Sequence, residues 1–142
     1  MALKKTQLLP ITTVVGVQTV GIYTAGLTAT SVGVGTTSYV KSIIMHNAGA
    51  AADNAGVGTA RVGVYIYPNT GVTDRVSGVG NSSYRILQID LAPNETSFFE
   101  SNYPLVLAPF NAIAVDVKTP DVGGAGVGTA VNFIINGDTE TP

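Results

Sequence analysis

His46 is the one histidine in the 142 residues and there is no cysteine, so neither a two-histidine nor a thiolate metal site can form within one chain. It stands beside Asn47 at the end of an apolar stretch, where it reads as a hydrogen-bonded histidine at a strand's rim rather than as a general base. Glu95 and Glu100 flank Phe98-Phe99. On a strand they would face opposite sides, which denies them the paired-carboxylate geometry of glycoside hydrolysis. Asp53-Asn54 and Asp121 lie in glycine-rich segments and could meet around Ca²⁺, but no D-x-[DN]-x-[DN]-G loop is present, so solvated loop carboxylates are expected. No serine sits in a G-x-S-x-G elbow. The tetrapeptide Gly-Val-Gly-Thr occurs at 33–36, 56–59 and 126–129. A phosphate-cradling loop would need a strand before it, a helix after it and, in the P-loop, a lysine. Here a strand pattern follows, so the element is read as a reused loop-to-strand entry. The expectation is a chain with no catalytic site, no cofactor and no metal.

What remains chemically suggestive is contact chemistry. Tyr65, Tyr67 and Tyr84 lie near Arg61 and Arg85 in strand-forming sequence. On the outer face of their strands they would form an aromatic patch bearing arginine, the composition of interface hot spots. An ordinary two-sided sheet face is the other reading of the same residues. At the N-terminus Leu3, Leu8, Leu9 and Ile11 are too apolar to be left in water, and Pro10 suits an edge or an extended segment. Residues 1–12 therefore read either as an arm ordered by a neighbouring subunit or as an edge strand of the chain's own sheet.

The elements that position these residues are strands. Val62, Val64 and Ile66 alternate with Arg61, Gly63, Tyr65 and Tyr67 across Thr59–Tyr67. Ile113, Val115 and Val117 alternate with Asp116 and Lys118, and Val131, Phe133 and Ile135 repeat the pattern. Ser38–Asn47 reads as a long central strand, apolar on both faces in its second half. Further strands are expected at Gln7–Val15, Thr19–Thr24, Arg85–Leu91, Thr96–Glu100 and Leu105–Leu107. Within Ser82–Ala92 the spacing of Tyr84, Leu87 and Leu91 also permits a helix. Glycine-rich loops join the strands at 26–35, 48–58, 69–83 and 120–128. Eight or nine short strands with turn-rich joints predict an all-β protein, an antiparallel β-sandwich of Ig-like or jelly-roll type.

Length predicts a single domain over 1–142, large enough to bury about 70% of its unfolded surface. Charged residues are 11% of the chain, against ~25% in a typical domain, and the net charge is −2. No basic stripe offers a footprint for nucleic acid. Weak charge leaves little self-repulsion between copies, which suits an assembly subunit. Apolar runs such as Ile43–Met45 are far too short to span a membrane. Lys4-Lys5 is followed by no apolar signal core, so a protein made and used in a cytoplasm is expected.

With this pattern laid out, the chain resembles the small β-sandwich structural proteins of tailed bacteriophages, of the T4-like cyanophage type. Tyr39–Asn47 is similar to a strand of those proteins in which apolar residues and Lys-Ser-Ile end at an asparagine before a variable loop. Ala60–Tyr67 resembles their next strand, and Leu91–Lys118 their later half, with Asn94–Thr96, Pro104–Leu107 and Ile113–Val117. Phe110-Asn111 stands where those proteins usually carry Gly-Asp. The resemblance spans about residues 37–136. It implies a virion structural protein, a capsid decoration (cement) protein above all. Such a protein is a homotrimer seated on the major capsid protein at the capsid surface, assembled in the host cytoplasm. A neck, tail or baseplate component is the alternative. A carbohydrate-binding module using Tyr65, Tyr67 or Tyr103 is a third reading, weakened by the lack of tryptophan. Subunit contacts would then fall on Leu3, Leu8, Leu9, Arg61, Tyr65, Tyr67, Tyr84 and Arg85.

Overall fold

A computed structural model describes residues 2–15, 19–26, 36–48, 58–67, 84–118 and 130–141. Runs rich in Val, Ile, Thr and aromatic residues pair there as strands, as their fit to a pleated, half-buried surface dictates. They are β1 (Ala2–Val15), β2 (Val20–Thr24), β3 (Thr37–Asn47), β4 (Ala60–Tyr67), β5 (Arg85–Leu91), β6 (Thr96–Leu107), β7 (Ala112–Lys118) and β8 (Ala130–Thr141). The Ser82–Ala92 ambiguity is settled for strand from Arg85 onward. The two short strands expected within 96–107 are one, β6. The glycine-rich loops, most of the Gly-Val-Gly-Thr repeats, Asp53, Asn54 and Asp121 lie outside the described residues.

The strands form two antiparallel four-stranded sheets, ordered β1-β8-β3-β6 (sheet I) and β2-β7-β4-β5 (sheet II). Between them the inward alternates interleave. Val40, Ile43 and Met45 of β3 and Val131, Phe133 and Ile135 of β8 meet Val62 and Val64 of β4 and Ile113, Val115 and Val117 of β7, all buried. Each sheet takes its central strands from distant parts of the chain, and the first and last strands are neighbours. Of the two sandwich types expected, this order is the jelly roll: eight strands among the described residues, wound as two Greek keys.

Three irregularities shape sheet I. The β1–β8 register shifts between Gln7 and Leu9 and again between Leu9 and Thr12. Lys41 is an extra residue in β3, since Val40 pairs with Gly137 and Ser42 with Asn136. At the same level β6 makes a larger excursion, because Val40 pairs with Leu105 while Ser42 pairs with Glu100. A side chain at Gly137 would collide with the Tyr39 carbonyl, so this crossing of β3 and β8 requires glycine.

Two tight turns close the sheets alike. Glu95 N–H donates to Ala92 O (3.0 Å) and Asn111 N–H to Ala108 O (3.0 Å). Each turn has proline at its second position and a positive φ at its third, Asn94 (62°) and Phe110 (70°). This is the type II pattern, in which asparagine is at home and phenylalanine is not. Phe110 is held there by its own N–H on Ala25 O (2.8 Å), while Ala25 N–H donates to Asn111 O (2.9 Å). The resemblance placed glycine at this corner, and the chain bears strain of order 1–3 kcal/mol for doing without it.

Candidate functional site

Sheet II carries the tyrosine and arginine residues singled out above. Alternation does turn Tyr65 and Tyr67 to its outward side, opposite the core-facing Val62, Val64 and Ile66. They are nevertheless buried, at 3% and 9% exposure, in a second cluster with Ala112 and Ala114 of β7. The two small alanines lie directly across from the tyrosines in register and leave room for the rings to lie down. The rings of Tyr65 and Tyr67 stack at 6.2 Å, and Tyr84 tilts against Tyr67 at 5.0 Å. The expected aromatic hot spot is therefore corrected: Tyr65 and Tyr67 are packing residues, and only Tyr84 and Arg85 of that set are exposed. Arg61 forks onto the Asp90 carboxylate, Nε–Oδ1 2.8 Å and Nη2–Oδ2 3.1 Å. That contact holds the Asp90 carboxyl below its usual range.

Beneath the tyrosines lies a buried carboxylate. Asp116 Oδ1 accepts the Gly63 N–H (3.0 Å), Oδ2 accepts the Tyr65 hydroxyl (2.8 Å), and Lys118 Nζ stands 3.3 Å from Oδ2. A side chain at Gly63 would occupy the place of Asp116 Oδ1, so glycine and aspartate fit as a pair. Burial pushes the Tyr65 phenol above its ordinary pKa, the bond to Asp116 adds to the rise, and Arg85 opposes it. This arrangement consumes the tyrosine's polar handle inside the protein.

Sheet I presents a different outer face. In register across it, Phe98 pairs with Ile44 and Ile44 with Ile134. Pro10 and Ile11 lie opposite Ile134, between the Leu9–Ile135 and Thr12–Phe133 pairs. One apolar row thus crosses all four strands, Ile11–Ile134–Ile44–Phe98, with its ends 65% and 60% exposed. On one side runs the polar row Thr13–Asn132–His46–Thr96, on the other Gln7–Asn136–Ser42–Glu100. The first is self-satisfied: Thr13 donates to Asn132 Oδ1 (2.6 Å), and His46 Nδ1 bonds the Thr96 hydroxyl (2.7 Å). His46 is thus hydrogen-bonded at the rim. Farther along, Lys41 pairs with the buried Asp138 (3.0 Å), and the Tyr39 hydroxyl donates to Glu140 (3.0 Å), which raises the Tyr39 pKa.

The N-terminal segment is the edge strand, not an arm. β1 pairs with the chain's own β8 from Ala2–Thr141 to Val15–Ala130, because β8 offers a free row of backbone groups on that side. Leu8 and Leu9 pack partly buried against the core, an outcome of the register shift between them. Leu3 pairs through its backbone with Glu140. Glu95 turns back onto the Ala92 N–H (3.0 Å) in its turn and is separate from Glu100 on β6. Among the described residues no group of His, Cys, Asp and Glu is arranged to hold a metal ion.

Sequence reasoning marked Ile11 as too apolar for water but missed Phe98 and the row that the two share. The signal was present in the two-sided apolarity of 43–45, which requires Ile44 to face outward, but no periodicity reveals which residues stand beside it. No protein-family model, curated protein or solved structure matches the chain.

Proposed function

We propose that this chain is a structural subunit of a tailed-phage virion, a capsid decoration protein that associates with itself and seats on the shell of the major capsid protein. The observation that supports it best is the outer face of sheet I. Its apolar row bordered by two polar rows has the anatomy of an association surface, with an apolar centre and a polar rim. The jelly roll agrees by analogy of fold, since viral capsid domains use it, although lectins do too. Weak net charge agrees with dense packing of copies.

Such a protein acts by bridging capsid subunits, and its binding free energy adds to particle stability by linkage. Purified protein is expected to bind expanded heads and not unexpanded ones, and to raise the temperature at which heads release DNA. Labelling confined to the neck or tail of intact particles would refute decoration in favour of a neck, tail or baseplate post. Tyr103, 84% exposed on the β6 excursion, favours the carbohydrate-binding reading as second. A glycan-binding screen with Tyr103→Ala as control decides it.

A further inference from the structure

Asn136 and Gly137 form the one Asn-Gly pair in the chain. Such a pair is the strongest short hairpin signal a sequence offers, yet here it lies inside β8, a strand flanked on both sides. We propose that Asn136–Gly137 is a deamidation site that the fold holds shut, so that isoaspartate forms there only in chains left unfolded and then bars them from completing sheet I. The inference stands apart from the virion reading and does not need it.

The chemistry requires only the chain and water. The Gly137 backbone nitrogen gives its proton to solvent base and attacks Asn136 Cγ, and the side-chain amide leaves as ammonia. Water then opens the succinimide ring. Opening at Cγ leaves aspartate. Opening at the main-chain carbonyl leaves isoaspartate, whose backbone runs through the former side chain. Glycine speeds the first step, because no side chain hinders the attacking nitrogen or restrains the backbone around it.

In the folded protein three features oppose that step. Asn136 is held extended between Gln7 on one side and Ser42 on the other, and ring closure needs it to turn out of that conformation. Gly137 is buried and lies between Thr6 and Val40, so whichever way its N–H points it meets a neighbouring strand. Fraying of the chain end alone is resisted too. The ladders run on to Thr141 against β1 and to Glu140 against β3, and side chains tie them down, Lys41 on Asp138 (3.0 Å) and Tyr39 on Glu140 (3.0 Å).

Once formed, isoaspartate does not fit the same place. It adds a carbon to the backbone of β8, so the groups from Gly137 to Thr141 fall out of step with both ladders. The extra length cannot be taken up at Gly137, where the Tyr39 carbonyl lies so close that only glycine is accommodated. Ordinary aspartate leaves the backbone unchanged, and position 136 is partly exposed in the outer polar row, so it should be tolerated.

The full-length chain, held at mildly alkaline pH either folded or unfolded in guanidinium chloride, tests this by peptide mapping that resolves isoaspartate from aspartate. Asn136 should react at least about 100-fold faster in the unfolded chain, a ratio that an unfolded fraction of about 10⁻³ or less allows. After dilution from denaturant, isoaspartate chains should be missing from the folded peak in size-exclusion chromatography. Asn136→Asp should fold with a midpoint close to wild type, and Asn136→Ser should refold fully after the same incubation. A smaller ratio would mean that the fold does not guard the site. Isoaspartate chains that refold with an unchanged midpoint would mean that they are not barred. Failure of Asn136→Asp to fold would move the cause from the backbone to the charge. Each of these overturns the proposal.

Discussion

Asn47 closes one end of the sandwich with a single side chain. Its amide donates to Leu91 O (3.0 Å) across to sheet II and to Gly58 O (3.3 Å), while its backbone exchanges bonds with Glu95 O and Asn94 N–H. Asn47→Ala leaves a buried carbonyl without its donor and should lower stability by about 1–3 kcal/mol, read as a shift in urea midpoint at unchanged slope. The tyrosines carry a second residue-level prediction. Burial raises the pKa of Tyr23, the hydrogen bond with Ser38 opposing it; burial and Asp116 raise Tyr65; and the bond to Glu140 raises Tyr39. All three lie above the ordinary value of about 10. A folded-state pKa above the unfolded one contributes stability that is whole below the unfolded value and is lost as pH climbs through the folded one. Stability should therefore hold up to about pH 10 and fall beyond it. Absorbance of phenolate should show these three ionising late, and Asp116→Asn should bring Tyr65 earlier.

At the scale of elements, β1 decides whether the N-terminus belongs to the fold. It supplies the whole edge of sheet I and packs Leu8 and Leu9 against the core. Deleting residues 2–10 should therefore lower the thermal midpoint of the domain itself, measured by circular dichroism. A deletion that left the midpoint unchanged would restore the arm. Much of the strand layout was legible from alternation, because β4, β7 and the core half of β8 are each half apolar with period two. Alternation also placed Tyr65 and Tyr67 on the outward side. Their burial was illegible because it depends on Ala112 and Ala114, which only the β4–β7 register brings opposite. The row on sheet I was illegible for the same reason. Ile11, Ile134, Ile44 and Phe98 come from four strands, and the shifts at Leu9 and Lys41 erase any fixed spacing between them.

At the scale of the molecule, the order of the strands sets how the chain must fold. β8, the last of the described strands, lies in sheet I between β1, the first of them, and β3. Neither β1 nor β3 can complete its ladder until residues 130–141 are present, and β6 reaches the sheet only through β3. Until then sheet I is limited to the β3–β6 pair, and Val62, Val64, Ile113, Val115 and Val117 of sheet II lack much of the surface they bury against. Contacts between chain ends also demand closure of nearly the whole chain as one loop, which slows folding into the millisecond-to-second range or beyond. Two outcomes are expected. The full chain should unfold in one cooperative step, with coincident midpoints by far-ultraviolet circular dichroism and tyrosine fluorescence. A chain ending at residue 129 should show no cooperative transition, although it keeps seven of the eight described strands. A cooperative transition in the shortened chain would mean that sheet II and the β3–β6 pair hold together unaided, and that the last strand merely docks on a body already formed.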